Sequence, residues 1–193
     1  MKKSNKKLKI IVAGNKEYGL AKAIFELYPT AFFASRTTGY DLGCKEGHAK
    51  FAESSLDYDI IINCSALYKF HQTVLLDAVY KKAIEFQKTP YIICIGSTTD
   101  RVKGGKTWLY NAEKKALRDY CNSLGINSVW SFGPKVTLVS FGTLDVVQEK
   151  HPNRKCMITN KAAEYIKWLI EQPKDLCVNE LSIDPMQHML WYK

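Results

Sequence analysis

Four short apolar runs alternate along the chain with stretches whose apolar residues recur at helical spacing. The first run, Lys9–Ala13, leads through a glycine into Leu20–Leu27, rich in Ala, Lys, Ile and Phe. The second, Ala31–Ser35, is set off by Pro29. The third, Asp59–Cys64, is followed by a long amphipathic segment in which Leu75, Val79, Ala83 and Phe86 share one stripe. The fourth, Tyr91–Ile95, is opened by Pro90 and closed by Gly96 and Ser97. Continuous β-branched runs without polar alternation predict strands buried on both faces, as in a parallel sheet. Strands alternating with helices predict a doubly wound α/β fold with helices on both faces, a three-layer αβα arrangement. In the second half the spacing predicts a helix over Thr107–Leu124, with Leu109, Ala112, Ala116 and Tyr120 on one stripe and Gly125 as its C-cap. A strand over Ile126–Phe132 stopped by Gly133-Pro134, a helix capped by Thr159 and running to about Glu171, and a last strand at Cys177–Ile183 complete the pattern. With no internal repeat or linker, residues 9–193 read as one domain behind a flexible basic tail at residues 1–8.

Composition narrows the class. Of 193 residues, 46% are hydrophobic and 24% charged, enough apolar surface for a packed core and against disorder. No run of 18 apolar residues predicts a membrane span. After the basic start, Ile10, Ile11 and Val12 alone are too short for the apolar part of a signal peptide. The net charge of +9 is concentrated: Lys2, Lys3, Lys6, Lys7 and Lys9 form a solvated arm, not a specific nucleic-acid site. Six scattered cysteines without a CxxC pair point to a reduced, cytoplasmic compartment, and the four histidines lack metal-ligand spacing.

Three segments carry candidate chemistry. Gly14, Asn15, Tyr18, Gly19 and Leu20 join the first strand to the first helix. Glycines there let the backbone approach a pyrophosphate, and the helix N-terminus supplies unpaired N–H groups. The second strand ends in Ser35, Arg36 and Thr37, where an acidic residue would bind the ribose 2′-hydroxyl of NAD(H). An arginine flanked by hydroxyls suits a 2′-phosphate instead, which favours NADP(H) over NAD(H). Ser97 at the end of the fourth run precedes Tyr110 and Lys114, which are four apart and so share a helix face. An ammonium beside a phenol lowers its pKa, and that makes proton exchange with an alcohol oxygen feasible. Gly105-Lys106-Thr107 looks like the end of a P-loop, but Asp100 stands where the leading glycine is required.

These pieces, taken in order, resemble the short-chain dehydrogenase/reductase family over most of the chain, with Rossmann-like architecture. The further matches are Asp41-Leu42, Asn63-Cys64-Ser65-Ala66, and Gly133-Pro134 with Val136-Thr137. The resemblance implies that Asp41 and Leu42 contact adenine and that Asn63, Cys64 and Ser65 lie along the ribose. It places Pro134 and Val136 over the nicotinamide, and gives Lys114 a second contact to the nicotinamide ribose. It implies a small carbonyl or alcohol substrate, and a homodimer or homotetramer formed through the helices near residues 70–88 and 107–124. Departures are a glycine loop one residue longer than usual, Ala21 for the third glycine, and no counterpart to the family's catalytic asparagine, near which His71 or Gln72 stands. The expected function is an NADP(H)-dependent carbonyl reductase or alcohol dehydrogenase using Ser97, Tyr110 and Lys114. A nucleotide-binding sensor or scaffold with little turnover is the alternative, and the short C-terminal part leaves no room for an extended epimerase domain.

Overall fold

The computed structural model describes residues 8–101 and 108–187. Most of the lysine-rich arm and the Gly105-Lys106-Thr107 segment lie outside the described residues. Six parallel strands form one sheet: β1 (Ile10–Ala13), β2 (Phe32–Ala34), β3 (Ile60–Asn63), β4 (Tyr91–Ser97), β5 (Lys135–Phe141) and β6 (Glu180–Ile183). Their order across the sheet is β2-β1-β3-β4-β5-β6. The helices are α1 (Gly19–Leu27), α2 (Lys45–Ser55), α3 (His71–Glu85), α4 (Leu109–Trp130) and α5 (Thr159–Glu171).

Strand side chains alternate between two apolar layers, as the pleat requires. Ile10, Val12, Ile60, Ile62 and Ile93 pack with Leu20 and Ile24 of α1 and Ala162 and Ile166 of α5. Ile11, Ile61 and Ile92 face the other way, onto Phe51 of α2, Leu75 and Val79 of α3, and Leu117 of α4. Burial on both faces explains why β1, β3 and β4 read as unbroken apolar runs. The chain reverses its direction of travel across the sheet between β1 and β3, which opens a crevice at the strand C-termini.

Four sequence expectations need correction. Ile126–Phe132 is not a strand: α4 runs on to Trp130, and Ile126, Val129 and Trp130 stand exposed on its outer side. Gly125 is not a C-cap but lies inside that helix, where a Cβ would come within 3.1 Å of the Val136 carbonyl. The glycine lets α4 approach β5 closely. The strand itself is Lys135–Phe141, in register with β4 so that Tyr91 faces Lys135 and Ser97 faces Phe141. The helix α2 was not foreseen, while the last strand is confined to Glu180–Ile183. Thr159 is the first residue of α5 rather than its cap; its N–H and hydroxyl both donate to Asp145 Oδ1, which caps the helix from outside.

Candidate active site

β1 delivers the chain to Gly14, whose N–H donates to Ala34 O at 3.0 Å and so ties the turn to β2. A Cβ on Gly14 would sit 3.2 Å from Ala21 Cβ and 3.7 Å from Cys64 Cβ. That packing brings α1 tight against β1 and β3, and Ala21 fills the place expected for a third glycine. Asn15 Oδ1 accepts from the Glu17 N–H and shapes the extended loop. Gly19 has φ +57, and a Cβ there would meet nothing within 4 Å, so the residue opens onto free space. The cap residue Tyr18 makes no side-chain bond to the first turn of α1, which leaves that turn's N–H groups for a ligand.

At the end of β2, Ser35 Oγ meets Thr37 Oγ1 at 2.8 Å, and the Ser35 N–H donates to Thr38 Oγ1. These bonds spread Arg36 outward; its side chain is 84% exposed, with Nε 3.7 Å from Asp41 Oδ1. Leu42 is buried beneath, and its carbonyl accepts from His48 Nε2 at 2.8 Å. Burial lowers the His48 pKa below the usual imidazole value, in keeping with a neutral ring held by one N–H.

Ser65 and Cys64 line the crevice after β3, but Asn63 does not. Its Nδ2 donates to Gln72 O at 3.0 Å and its Oδ1 accepts from Ser65, so the expected ribose contact is replaced by a clasp between β3 and α3. Gln72 is the residue that the sequence left ambiguous with His71. Its Nε2 donates to Asn63 O and Ile95 O, and its Oε1 accepts from Lys114 Nζ at 2.5 Å. Lys114 also donates to Ile95 O at 3.1 Å, with Nζ 5.5 Å from the Tyr110 ring centroid.

Tyr110, on the first turn of α4, is half-buried beside Ser97 at the end of β4. Its pKa is raised above the ordinary phenol value, first by burial, while the Ser97 hydroxyl beside it pulls in the opposite direction. The expectation of a phenol made more acidic by Lys114 is therefore not met. The ammonium is engaged by Gln72 and the Ile95 carbonyl, and its own pKa falls from 10.5 to about 8 because it is buried. Pro134 and Val136 also need correction: Val136 is wholly buried opposite Ile92, at the far end of β5 from Ser97. The segment that reaches the crevice is Gly142–Leu144, directly after β5.

Lys114 gives a pH-dependent stability. Between about pH 8 and 10.5 the unfolded chain keeps a proton that the folded chain has released. This residue's contribution thus rises with pH across that window, and its penalty is fully present below about 8. The difference in unfolding free energy between wild type and Lys114→Met should grow in favour of wild type by about 2 kcal/mol from about pH 8 to about pH 10. Chemical denaturation at both pH values measures it; a constant difference would contradict a desolvated ammonium.

Apart from Asn63, Pro134 and Val136, the candidate site residues border one cavity of about 960 Å³ at the C-terminal edge of the sheet. It runs from Arg36, Asp41 and Leu42 past Gly14, Gly19 and Ser65 to Ser97, Tyr110 and Lys114. Its far wall comes from Thr143, Val146, His151 and Arg154, in the segment after β5 to which the sequence assigned no site residue. No protein-family model and no curated protein matches the chain in sequence. Solved structures do match. A short-chain dehydrogenase from Burkholderia cenocepacia in complex with NADP aligns with TM-score 0.74 at 16% identity, over 93% of this chain and 89% of that one. The chain has the fold of the short-chain dehydrogenases. The closed form of a serine dehydrogenase with NADP+ gives TM-score 0.70 at 15% identity, over 90% and 94% of the two chains. A 4-hydroxyisoleucine dehydrogenase with NADH gives 0.69 at 16%, over 91% and 96%. In this short-chain dehydrogenase fold, the crevice between β1 and β3 and the end of β4 form one continuous site. No described helix is long and apolar enough to cross a membrane.

Proposed function

We propose that the chain is an NADP(H)-dependent oxidoreductase of the carbonyl reductase or alcohol dehydrogenase type. The observation that carries this reading is that one cavity joins the uncapped N-terminus of α1 to Ser97, Tyr110 and Lys114. The residues present fit a dinucleotide: Gly19 leaves open space at the α1 N-terminus, and the first-turn N–H groups lack a side-chain cap. Gly14, Asn15, Tyr18, Gly19 and Leu20 would hold the pyrophosphate, with Ser35, Arg36, Thr37, Asp41 and Leu42 at the adenosine end.

When bound, a nicotinamide supplies hydride to, or takes it from, the substrate carbon. The chain's residues handle the oxygen and its proton. Tyr110, whose pKa is raised, stays protonated at neutral pH and donates to the oxygen of a carbonyl as negative charge develops there. Ser97, beside it, gives that oxygen a second hydrogen bond and orients it. Lys114, held by Gln72 and the Ile95 carbonyl, stands behind the ring, with Nζ 5.5 Å from its centroid. Gln72 Oε1 accepts from Lys114 Nζ and so fixes the ammonium directly.

The cofactor preference rests on Arg36, an exposed guanidinium at the cavity wall. Arg36→Ala should weaken NADPH binding about tenfold, the loss of a charge-assisted pair, and leave NADH affinity unchanged. Fluorescence titration of both cofactors tests it; equal loss for both would overturn the 2′-phosphate role. A sensor of the same fold is the second reading, favoured by one observation: Lys114 is bonded to Gln72 and Ile95 rather than to the phenol. Hydride transfer to any carbonyl excludes it. We further propose a cytoplasmic homodimer or homotetramer assembled through α3 and α4, where Val74, Leu109, Ile126 and Val129 are exposed.

A further inference from the structure

The charged lining of the cavity is uneven. Asp41 is the one carboxylate on it among the described residues, and it stands beside Arg36 at the adenosine end. Across from Ser97 the wall carries His151 and Arg154 instead. Arg154 Nη1 donates to Thr143 Oγ1 at 2.9 Å, and no carboxylate among the described residues lies within ion-pair distance of it. Its backbone is held in place: the Arg154 N–H donates to His151 O, and Gln148 Nε2 donates to both His151 O and Arg154 O at 2.9 Å. A bridge between Leu144 and Met157 then ties the two ends of this segment together. The arginine is thus presented by a braced turn rather than a free loop.

Its distance from the reaction centre follows from the register. Phe141 lies opposite Ser97, and Thr143 is two residues beyond. Strand spacing and rise put the Thr143 and Ser97 backbones roughly 8 Å apart. A guanidinium anchored on Thr143 and an oxygen held by Ser97 and Tyr110 are then spanned by a molecule of a few carbon atoms. A planar guanidinium with free donors matches a carboxylate in forked geometry.

We propose that Arg154 binds the carboxylate of the substrate, and that the chain interconverts short oxo acids and the corresponding hydroxy acids. This rests on the reading of Ser97 and Tyr110 as the reaction centre. In the reduction, the carbonyl carbon gains a C–H bond from the hydride of reduced nicotinamide, the C=O π bond breaks, and the oxygen takes the Tyr110 proton. The carboxylate is unchanged and serves as the handle. The competing use of the same cation is the cofactor's pyrophosphate.

The test compares wild type, Arg154→Gln and Arg154→Lys in three measurements. NADPH affinity should stay within about twofold in both variants. The preference for 3-oxobutanoate over its methyl ester, as kcat/KM, should fall about tenfold or more in Arg154→Gln and recover partly in Arg154→Lys. Succinate titrated calorimetrically into the NADP+ complex should bind wild type and Tyr110→Phe, and bind Arg154→Gln about tenfold more weakly. Weakened NADPH binding with unchanged acid preference would assign Arg154 to the pyrophosphate and overturn the proposal, as would failure of succinate to bind wild type. Turnover of the ester with no preference for the acid sinks the substrate class alone. Absence of hydride transfer to any carbonyl, with succinate still bound through Arg154, sinks the parent reading instead.

Discussion

Tyr110→Phe is expected to lower kcat about a thousandfold while NADPH affinity stays within about twofold. The phenol oxygen is the group placed to give the carbonyl oxygen its proton, and phenylalanine keeps the ring and its packing against Tyr68, 6.4 Å away between centroids. The raised pKa sharpens the expectation. At neutral pH the phenol is nearly all protonated, the form needed for reduction, whereas alcohol oxidation needs the phenolate and should accelerate as the pH rises. Stopped-flow NADPH oxidation with a genuine substrate reads the first effect, and cofactor fluorescence the second. Full turnover in Tyr110→Phe would remove the proton donor from the account.

Gly47→Ala is expected to destabilise the fold by about 3 kcal/mol and to weaken NADPH binding with it. Gly47 lies in the first turn of α2, where its N–H donates to Cys44 Sγ. A Cβ there would overlap the Asp41 carbonyl far inside van der Waals contact, against backbone that cannot rotate away. Either α2 moves, breaking the His48 bond to Leu42, or Asp41 and Leu42 move and deform the adenosine end of the cavity. Gly43→Ala is the control. Its Cβ would meet only the Asp41 side-chain oxygen at 3.3 Å, which can turn aside, so the cost should stay below about 1 kcal/mol. Denaturant unfolding of both variants decides; equal stabilities would show that the α2 approach is not tight.

What the chain revealed unaided follows from how strongly burial constrained each segment. β1, β3 and β4 are buried on both faces, so Ile10–Val12, Ile60–Ile62 and Ile92–Ile93 had to be apolar, and periodicity alone located them. Gly14, Arg36, Ser97, Tyr110 and Lys114 were legible from motif spacing instead, and they border one cavity. Ile126–Phe132 misled because its β-branched and aromatic residues face outward on a helix, where no core enforces a helical pattern. Gly125 is equally ambiguous, because a glycine needed for close helix–strand packing looks the same in sequence as one that ends a helix. With β5 at Lys135–Phe141, Gly142 and Thr143 reach the cavity where the sequence suggested Gly133 and Pro134, and Arg154 lines it with them. Gln72 and Asn63 were legible as nearby residues but not as partners. Their joining depends on the end of β3 meeting the first turn of α3, a tertiary fact with no trace in spacing.

Hydride transfer from nicotinamide to a carbonyl whose oxygen takes the Tyr110 proton is the reaction proposed for this cavity. NADPH carrying deuterium at the transferred nicotinamide C4 position, incubated with the protein and a set of carbonyl acids and neutral carbonyls, tests it most directly. Mass spectrometry should find deuterium on the carbinol carbon of at least one product with wild type, and only a trace with Tyr110→Phe. Tight NADPH binding without deuterium in any product, or equal transfer by Tyr110→Phe, would contradict it.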